Sequence, residues 1–393
     1  MIARNLAGAL RAAARQYPVV TLTGPRQSGK TTLCRATFPD RPYVSLEPLD
    51  NRAYAGEDPR GFLAEHADGA VIDEVQHVPT LLSYLQAEVD ARPDPGRFIL
   101  TGSQHLGLAA GVAQSLAGRT AILHLLPLSL DELRRFPRAP TDLLTTLWTG
   151  AYPRIHDRGI PAARWLADYV ATYVQRDVRT VLNVGDLLTF TTFIKLCAGR
   201  TAQEVNLTAL GSDAGVSHVT ARAWSSVLEA GFIVFRLPAW PLNARKQLVK
   251  APRLHLFDSG LACHLLGIAG PEQLRHHPLR GAIFESWVAS EIFKARANRG
   301  QEAHLAHFRE SRGLEIDLIV ERGEELIATE VKSGATVAGD WFDPLGRFAA
   351  LLAASQERRR VVSRLVYGGD TAHRRGGVAV IPWHEVPAQR WTD

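Results

Sequence analysis

The chain has 393 residues, with 46% hydrophobic and 22% charged content, a formal charge of +5 and a pI near 9.2. That length exceeds what one core fills, and the balance excludes a disordered or fibrous chain while giving polyanion binding modest support. No apolar run reaches the roughly 20 residues of a bilayer-spanning helix, and the segment from Met1 to Gln16 mixes arginine with alanine and leucine unlike a signal peptide, so a cytoplasmic address without a membrane partner is expected.

Cys34, Cys197 and Cys263 lie far apart in apolar surroundings without zinc spacing, as suits buried thiols in a reducing compartment. Basicity rests on arginine. Lysine occurs only at Lys30, Lys195, Lys246, Lys250, Lys294 and Lys332, so each lysine hints at point-charge chemistry that a guanidinium does not perform.

In the first region, 1–133, short β-branched runs alternate with helical stretches, the pattern of a parallel sheet covered by helices. Val19 to Thr23, Ala70 to Ile72 and Phe98 to Thr101 are its clearest strands. The first leads into Gly24-Pro25-Arg26-Gln27-Ser28-Gly29-Lys30-Thr31, which satisfies the phosphate-loop pattern G-x-x-x-x-G-K-[ST], with Thr32 following. Between a strand and a predicted helix, its backbone amides can cradle phosphates at the positive end of the helix. Lys30 then reaches the β and γ phosphates, and the Thr31 hydroxyl meets Mg²⁺. The second strand ends in Asp73-Glu74. Asp73 is expected to hold Mg²⁺ through water and Glu74 to polarise the water that attacks the γ-phosphate, although such acidic pairs also occur in ordinary surface loops.

After Phe98 to Thr101 come Gly102 and Ser103, and this strand resembles the sensor strand of AAA+ and related ATPases. Ser103 or Thr101 is then placed to touch the γ-phosphate or its water, against the plainer reading of a Gly-Ser turn. Arg119 is a candidate phosphate-sensing arginine, though in so arginine-rich a chain a solvated side chain competes with that role.

The middle region, 134–270, is predicted to be mostly helical. Leu207 to Ala214 has the pattern of a short helix, Gly215-Val216 of a turn, and Ser217 of the N-cap of a helix running to Leu228. Gly231 ends that helix, and Phe232 to Phe235 supplies a wing-like strand. His218, Thr220, Ala221, Arg222 and Ser225 are expected on the groove-facing side, with Val219, Ala223, Val227 and Leu228 inward; Arg245, Lys246 and Lys250 would reach phosphates. A protein-docking module or a packing lid beside an ATPase core is the competing account.

In the third region, 271–393, Glu315 to Val320 and Ile327 to Lys332 are predicted strands. Glu330 and Lys332 share a face of the second. The set resembles a PD-(D/E)xK nuclease site. That resemblance implies Mg²⁺ held by Asp317 and Glu330, Lys332 at the attacking hydroxide, and Glu285 as an additional acid. Ile316 stands where the motif's name has proline. A surface ladder of Glu, Asp and Lys, or a nuclease-like fold that only binds, would look similar.

The P-loop, Val71 to Gln76, Leu100 to Ser103 and Leu125 to Leu130 together resemble the prokaryotic AAA+ ATPases that carry a DUF4143 carboxy-terminal region. The similarity continues through Tyr173 to Val178, Lys250 to Leu254, Phe257 to Leu261 and Glu330 to Gly334. It implies an α/β protein in three parts: a P-loop AAA+ core, a helical and winged-helix middle domain, and a restriction-endonuclease-like α/β carboxy-terminal domain. ATP and Mg²⁺ are the expected cofactors, with DNA as partner and a homo-oligomer plausible for the family. The leading expectation is a DNA-processing ATPase with metal-dependent nuclease capacity. Its rivals are an ATP-dependent DNA-binding or regulatory protein whose terminal domain does not cut, and a P-loop small-molecule kinase, which the Asp73-Glu74 pair disfavours.

Overall fold

The computed structural model describes residues 2–102, 115–173, 187–241, 251–310, 313–355 and 357–392. The chain divides into two compact units. The first comprises Met1–Pro127 with Ala230–Phe232 and Ala297–Gln301; the second comprises Leu128–Glu229, Ile233–Arg296 and Glu302–Asp393.

In the first unit, strands β1 (Val19–Thr23), β2 (Tyr43–Ser45), β3 (Ala70–Asp73), β4 (Phe98–Thr101) and β5 (Thr120–His124) form one parallel sheet in the order β2-β3-β4-β1-β5. β1, β3 and β4 are buried along their whole length, which is why their sequences are continuous apolar or β-branched runs. The two-residue period sorts their side chains onto two cores. Val19, Ala70, Ile72, Phe98 and Leu100 point toward Phe62, Leu81 and Leu85. Val20, Leu22, Val71, Ile99 and Leu123 point toward Leu6, Leu10, Leu33 and Cys34, so helices Ala7–Ala14 and Lys30–Thr37 cover that face. Because every strand runs the same way, their carboxyl ends share one edge.

The second unit begins with helices around an aromatic core of Tyr152, Trp165, Tyr169, Phe190, Phe193 and Trp224. Helix Leu207–Ala214 is capped by the Asn206 side chain, which accepts from the Ala209 amide at 3.0 Å, and ends at Gly215 in the left-handed region. Ser217 Oγ then accepts from the Thr220 amide at 3.1 Å and opens helix His218–Ala230. Strands β6 (Gln203–Glu204) and β7 (Val234–Leu237) flank β8 (Arg253–Leu256) in a small antiparallel sheet.

The phase predicted for helix His218–Ala230 needs correction. Ala221 and Ser225 are buried, whereas Val219 is 74% exposed and Ala223 is also exposed. Val227 and Leu228 are buried as expected, and the main inward stripe is Ala221, Trp224, Ser225 and Leu228, spaced i, i+3, i+4 and i+7. Trp224 sets that phase by packing edge-on against Phe190 and Phe193, with ring centroids 5.0 and 5.3 Å away. His218 and Arg222 remain exposed as expected, and Thr220 is half-buried. Arg245, Lys246, Lys250 and most of the Tyr173 to Val178 motif lie outside the described residues.

The remainder of this unit is a six-stranded sheet of β9 (Leu305–Arg309), β10 (Glu315–Arg322), β11 (Glu325–Lys332), β12 (Arg360–Tyr367), β13 (His373–Arg375) and β14 (Val378–Pro382), ordered β13-β14-β12-β11-β10-β9. β9, β10 and β11 form an antiparallel meander; β12 returns parallel to β11 after helix Asp343–Ala353. The 18-residue helix Arg280–Ala297 precedes β9. Among the described residues no helix is long and apolar enough to cross a membrane.

The corrected helix phase has a direct test in urea unfolding. Val219→Ser is expected to change stability by less than about 0.5 kcal/mol, whereas Trp224→Ala, which empties the aromatic core, is expected to cost about 3–5 kcal/mol.

Candidate functional site

The edge formed by the ends of β1, β3 and β4 gathers the first set of predicted residues. Gly24 leaves β1 at φ 148°, where an added Cβ would stand 2.2 Å from the Leu125 carbonyl oxygen. The loop turns through Gln27 at φ 63° and Gly29 at φ 94°, and helix Lys30–Thr37 starts at once. Lys30 is 6% exposed, and its ammonium donates to the carbonyls of Gly24 and Pro25 at 3.0 and 2.9 Å. The loop thus curls around its own ammonium group. Arg4 braces the turn by donating to the Ser28 and Leu126 carbonyls at 2.7 and 2.8 Å.

Asp73 ends β3 beside the loop. Thr31 Oγ1 and Tyr43 Oη donate to its Oδ2 at 2.8 and 2.7 Å, and Thr101 Oγ1 donates to Oδ1. Three hydroxyls therefore replace the water that a buried carboxylate gives up. Burial, and then the bond to Asp73, raises the Tyr43 phenol above its ordinary pKa. Burial pushes the Cys34 thiol up to about 12, with the Asp73 charge adding to it and Lys30 opposing. Glu74 is half-buried, with a left-handed backbone at φ 59°, and accepts from Gln76 Nε2.

These residues fit a nucleotide phosphate with its metal. Among the described residues the Ser28 hydroxyl, buried inside the loop, has no hydrogen-bond partner, and Thr31 and Asp73 present oxygens side by side. Arg26 is half-buried in the loop, while Thr32 is exposed on the helix's first turn. Ser103 lies outside the described residues; Thr101, weighed beside it, reaches Asp73.

Arg119 does not belong to this edge, and its sensing role is corrected. Its carbonyl accepts from the Val19 amide at 3.2 Å, so it precedes β5 at the opposite edge of the sheet. A five-residue strand separates it from the loop by about 16 Å. Its guanidinium forks onto Asp90, with Nη2 to Oδ2 at 2.8 Å. Tyr43 and Arg4 were not predicted. A tyrosine in a short edge strand and an arginine ahead of the first helix carry no local signal of where the fold takes them.

The second set meets in the larger unit. The pairing of β10 with β9 shifts register between Ile316 and Ile319, the stretch that contains Asp317. Asp317 Oδ2 accepts from the Val331 amide at 2.9 Å and lies 3.7 Å from Lys332 Nζ, which donates to Glu330 at 2.8 Å. Glu285 projects from helix Arg280–Ala297. A residue not predicted for the site joins them: Arg253 of β8 approaches Glu285 and Glu315 at 3.1 Å each and Asp317 at 3.5 Å. Burial pushes the Glu330 carboxyl up to about 8, reinforced by the Asp317 charge and opposed by Lys332. Glu285 is likewise held well above the carboxylate range, by burial and then by Asp317. Burial works against the Lys332 charge, but Asp317 and Glu330 outweigh it and raise its pKa. Among the described residues no three His, Cys, Asp or Glu side chains are arranged to hold a metal ion; Glu285, Asp317 and Glu330 each face a cationic side chain of the chain itself instead.

Comparison with known proteins agrees with the first site. Residues 16–134 match the family described as AAA domain, and residues 280–386 match the domain of unknown function DUF4143. Residues 140–272 match a further domain of unknown function, DUF8612. An AAA domain and a DUF4143 domain are thus found in this chain. An uncharacterized protein of Mycobacterium tuberculosis is 29% identical over 339 residues, covering 85% of this chain and 74% of its own length; an uncharacterized protein of Mycobacterium bovis gives the same figures. Among solved structures, a Walker-type ATPase of Pyrococcus abyssi is 15% identical with a TM-score of 0.42, covering 66% of this chain and 94% of its own. RuvB of Thermotoga maritima is 21% identical with a TM-score of 0.30, covering 59% and 87%.

The Arg4 brace predicts a measurable effect on the loop. Arg4→Ala, which removes two charge-assisted bonds from the cradle, is expected to weaken ATP binding by about tenfold in calorimetry with magnesium, with the fold intact.

Proposed function

We propose that this protein hydrolyses Mg-ATP at the sheet edge and uses the cycle to act on DNA. What carries the proposal is the convergence on Asp73 of Thr31, Tyr43 and Thr101, beside a P-loop lysine that rests on replaceable carbonyls. Phosphate oxygens would draw the Lys30 ammonium from Gly24 and Pro25, because an anion is a stronger acceptor than a neutral carbonyl. The loop amides from Gly24 to Thr31 would wrap the phosphates at the start of helix Lys30–Thr37, with Thr32 on its first turn. Thr31 and Asp73 would hold the magnesium ion, directly and through water. When bound, that ion supplies charge neutralisation across the β and γ phosphates.

Glu74 follows Asp73 at the strand end and is partly open to solvent. It would orient and accept a proton from the water attacking the γ-phosphate in line, releasing ADP and inorganic phosphate. Hydrolysis is preferred to a kinase reaction on the strength of the AAA domain, since a carboxylate base by itself serves water and a metabolite hydroxyl alike. Self-association is part of this reading, on the strength of the AAA domain.

DNA is proposed as the partner because helices Leu207–Ala214 and His218–Ala230, with the β6-β8-β7 sheet, have the element order of a winged helix, whose exposed second helix carries His218 and Arg222. A division at 1–133, 134–270 and 271–393 belongs to the same reading, supported by the three matched stretches. The meander β9-β10-β11 with β12 parallel to β11 supports a restriction-endonuclease-like terminal part. Its carboxylates are taken up by Arg253 and Lys332, an arrangement unsuited to a divalent cation while those bonds hold. That mismatch favours the second reading, an ATP-dependent DNA-binding or regulatory protein whose terminal domain does not cut.

Steady-state ATPase assays with and without duplex and single-stranded DNA test the proposal. Lys30→Ala is expected to lose ATP binding, and Glu74→Gln to keep binding while turnover falls by about 10²-fold or more. DNA is expected to raise wild-type turnover. Full activity in Glu74→Gln would remove the proposed water-activating role, and turnover indifferent to every DNA form would remove the partner.

A further inference from the structure

In a nuclease-like architecture the carboxylates at the end of the meander are held together by a cation, and here a cation is already present. Arg253 is buried, and its two terminal nitrogens divide three carboxylates between them. Nη1 meets Glu285 at 3.1 Å and Asp317 at 3.5 Å, while Nη2 meets Glu315 at 3.1 Å. The second Asp317 oxygen is held by the Val331 amide and faces Lys332. Glu330 is held by Lys332, and Glu315 is shared with Arg309 at 2.8 Å. Each of these carboxylates therefore has a nitrogen partner inside the protein.

A magnesium or manganese ion needs about six oxygens at roughly 2.0–2.2 Å in near-octahedral order. A planar guanidinium hydrogen-bonded to the same oxygens blocks that approach and brings only one charge. The side chain also cannot shed its charge, so withdrawing it would strand three partly buried carboxylates.

We propose that Arg253 is the resident cation of the terminal acidic site: it holds Glu285, Glu315 and Asp317 in place of a divalent metal and ties β8 to the terminal sheet. The inference rests on the nuclease-like reading of that sheet. It makes the site closed to Mg²⁺ and Mn²⁺ while Arg253 is docked, and open to one such ion once the guanidinium is removed.

Manganese binding to the full chain, followed by electron paramagnetic resonance without nucleotide, tests this. Wild type and Asp317→Asn are expected to bind Mn²⁺ identically. Arg253→Gln is expected to gain one ion with a dissociation constant at or below about 1 mM, and Arg253→Gln with Asp317→Asn to lose it. An Asp317-dependent ion in wild type would overturn the proposal, as would a folded Arg253→Gln that binds no more than wild type. Should Arg253→Gln fail to fold, the wild-type comparison still decides, and Arg253→Lys, which keeps the charge without the fork, is expected to stay metal-free. DNA cleavage is scored separately. A metal-loaded Arg253→Gln that cuts nothing leaves the resident-cation role standing and removes the nuclease; cleavage by wild type through an Asp317-bound ion does the reverse.

Discussion

The first unit depends on a constraint of strand direction. Five parallel strands, with β4 inserted between β1 and β3, bring the ends of three β-branched runs to one edge. There a carboxylate must be buried beside an ammonium group, and both are satisfied locally: Asp73 by three hydroxyls, Lys30 by two loop carbonyls. None of these bonds closes the site permanently. Each is a neutral-to-charged hydrogen bond; in the proposed cycle phosphate oxygens would replace the carbonyls on Lys30, because a charged acceptor is the stronger kind. Among the described residues the buried Ser28 hydroxyl of the same loop has no hydrogen-bond partner.

The larger unit solves a similar problem in the opposite way. Glu285, Asp317, Glu330 and Glu315 lie close together at the end of the meander, and unpaired they would strongly destabilise it. Arg253, Lys332 and Arg309 supply the positive charge from within the chain. A site that waits for its ligand keeps weakly held partners, whereas this one has a bonded guanidinium at its centre. The first arrangement leaves its charges on exchangeable neutral partners, and the second locks them into ion pairs that tie β8 to the terminal sheet.

What was legible in the sequence was what local pattern encodes. The phosphate loop, the strand ends at Asp73 and Thr101 and the strands β10 and β11 depend on residues within a few positions of one another, and all fall in the expected elements. Tyr43, Arg4 and Arg253 escaped because their roles are set by which strands become neighbours. Arg119 misled because its place just before a strand does not say which sheet edge that strand end occupies. Val219 and Ala221 were exchanged because a run of small residues gives a weak helical phase until a large ring such as Trp224 finds its pocket. The Arg253 fork is the extreme case: β8 belongs to one sheet and its guanidinium to the acidic end of another.

In the proposed cycle the loop from Gly24 to Thr31 exchanges its internal partners for a triphosphate. Hydrogen exchange of that segment, with and without magnesium and a non-hydrolysable ATP analogue, tests it most directly. Marked slowing at the loop and first helical turn, absent in Lys30→Ala, is the expected result. Exchange unaltered by saturating analogue in the wild-type chain would contradict the account.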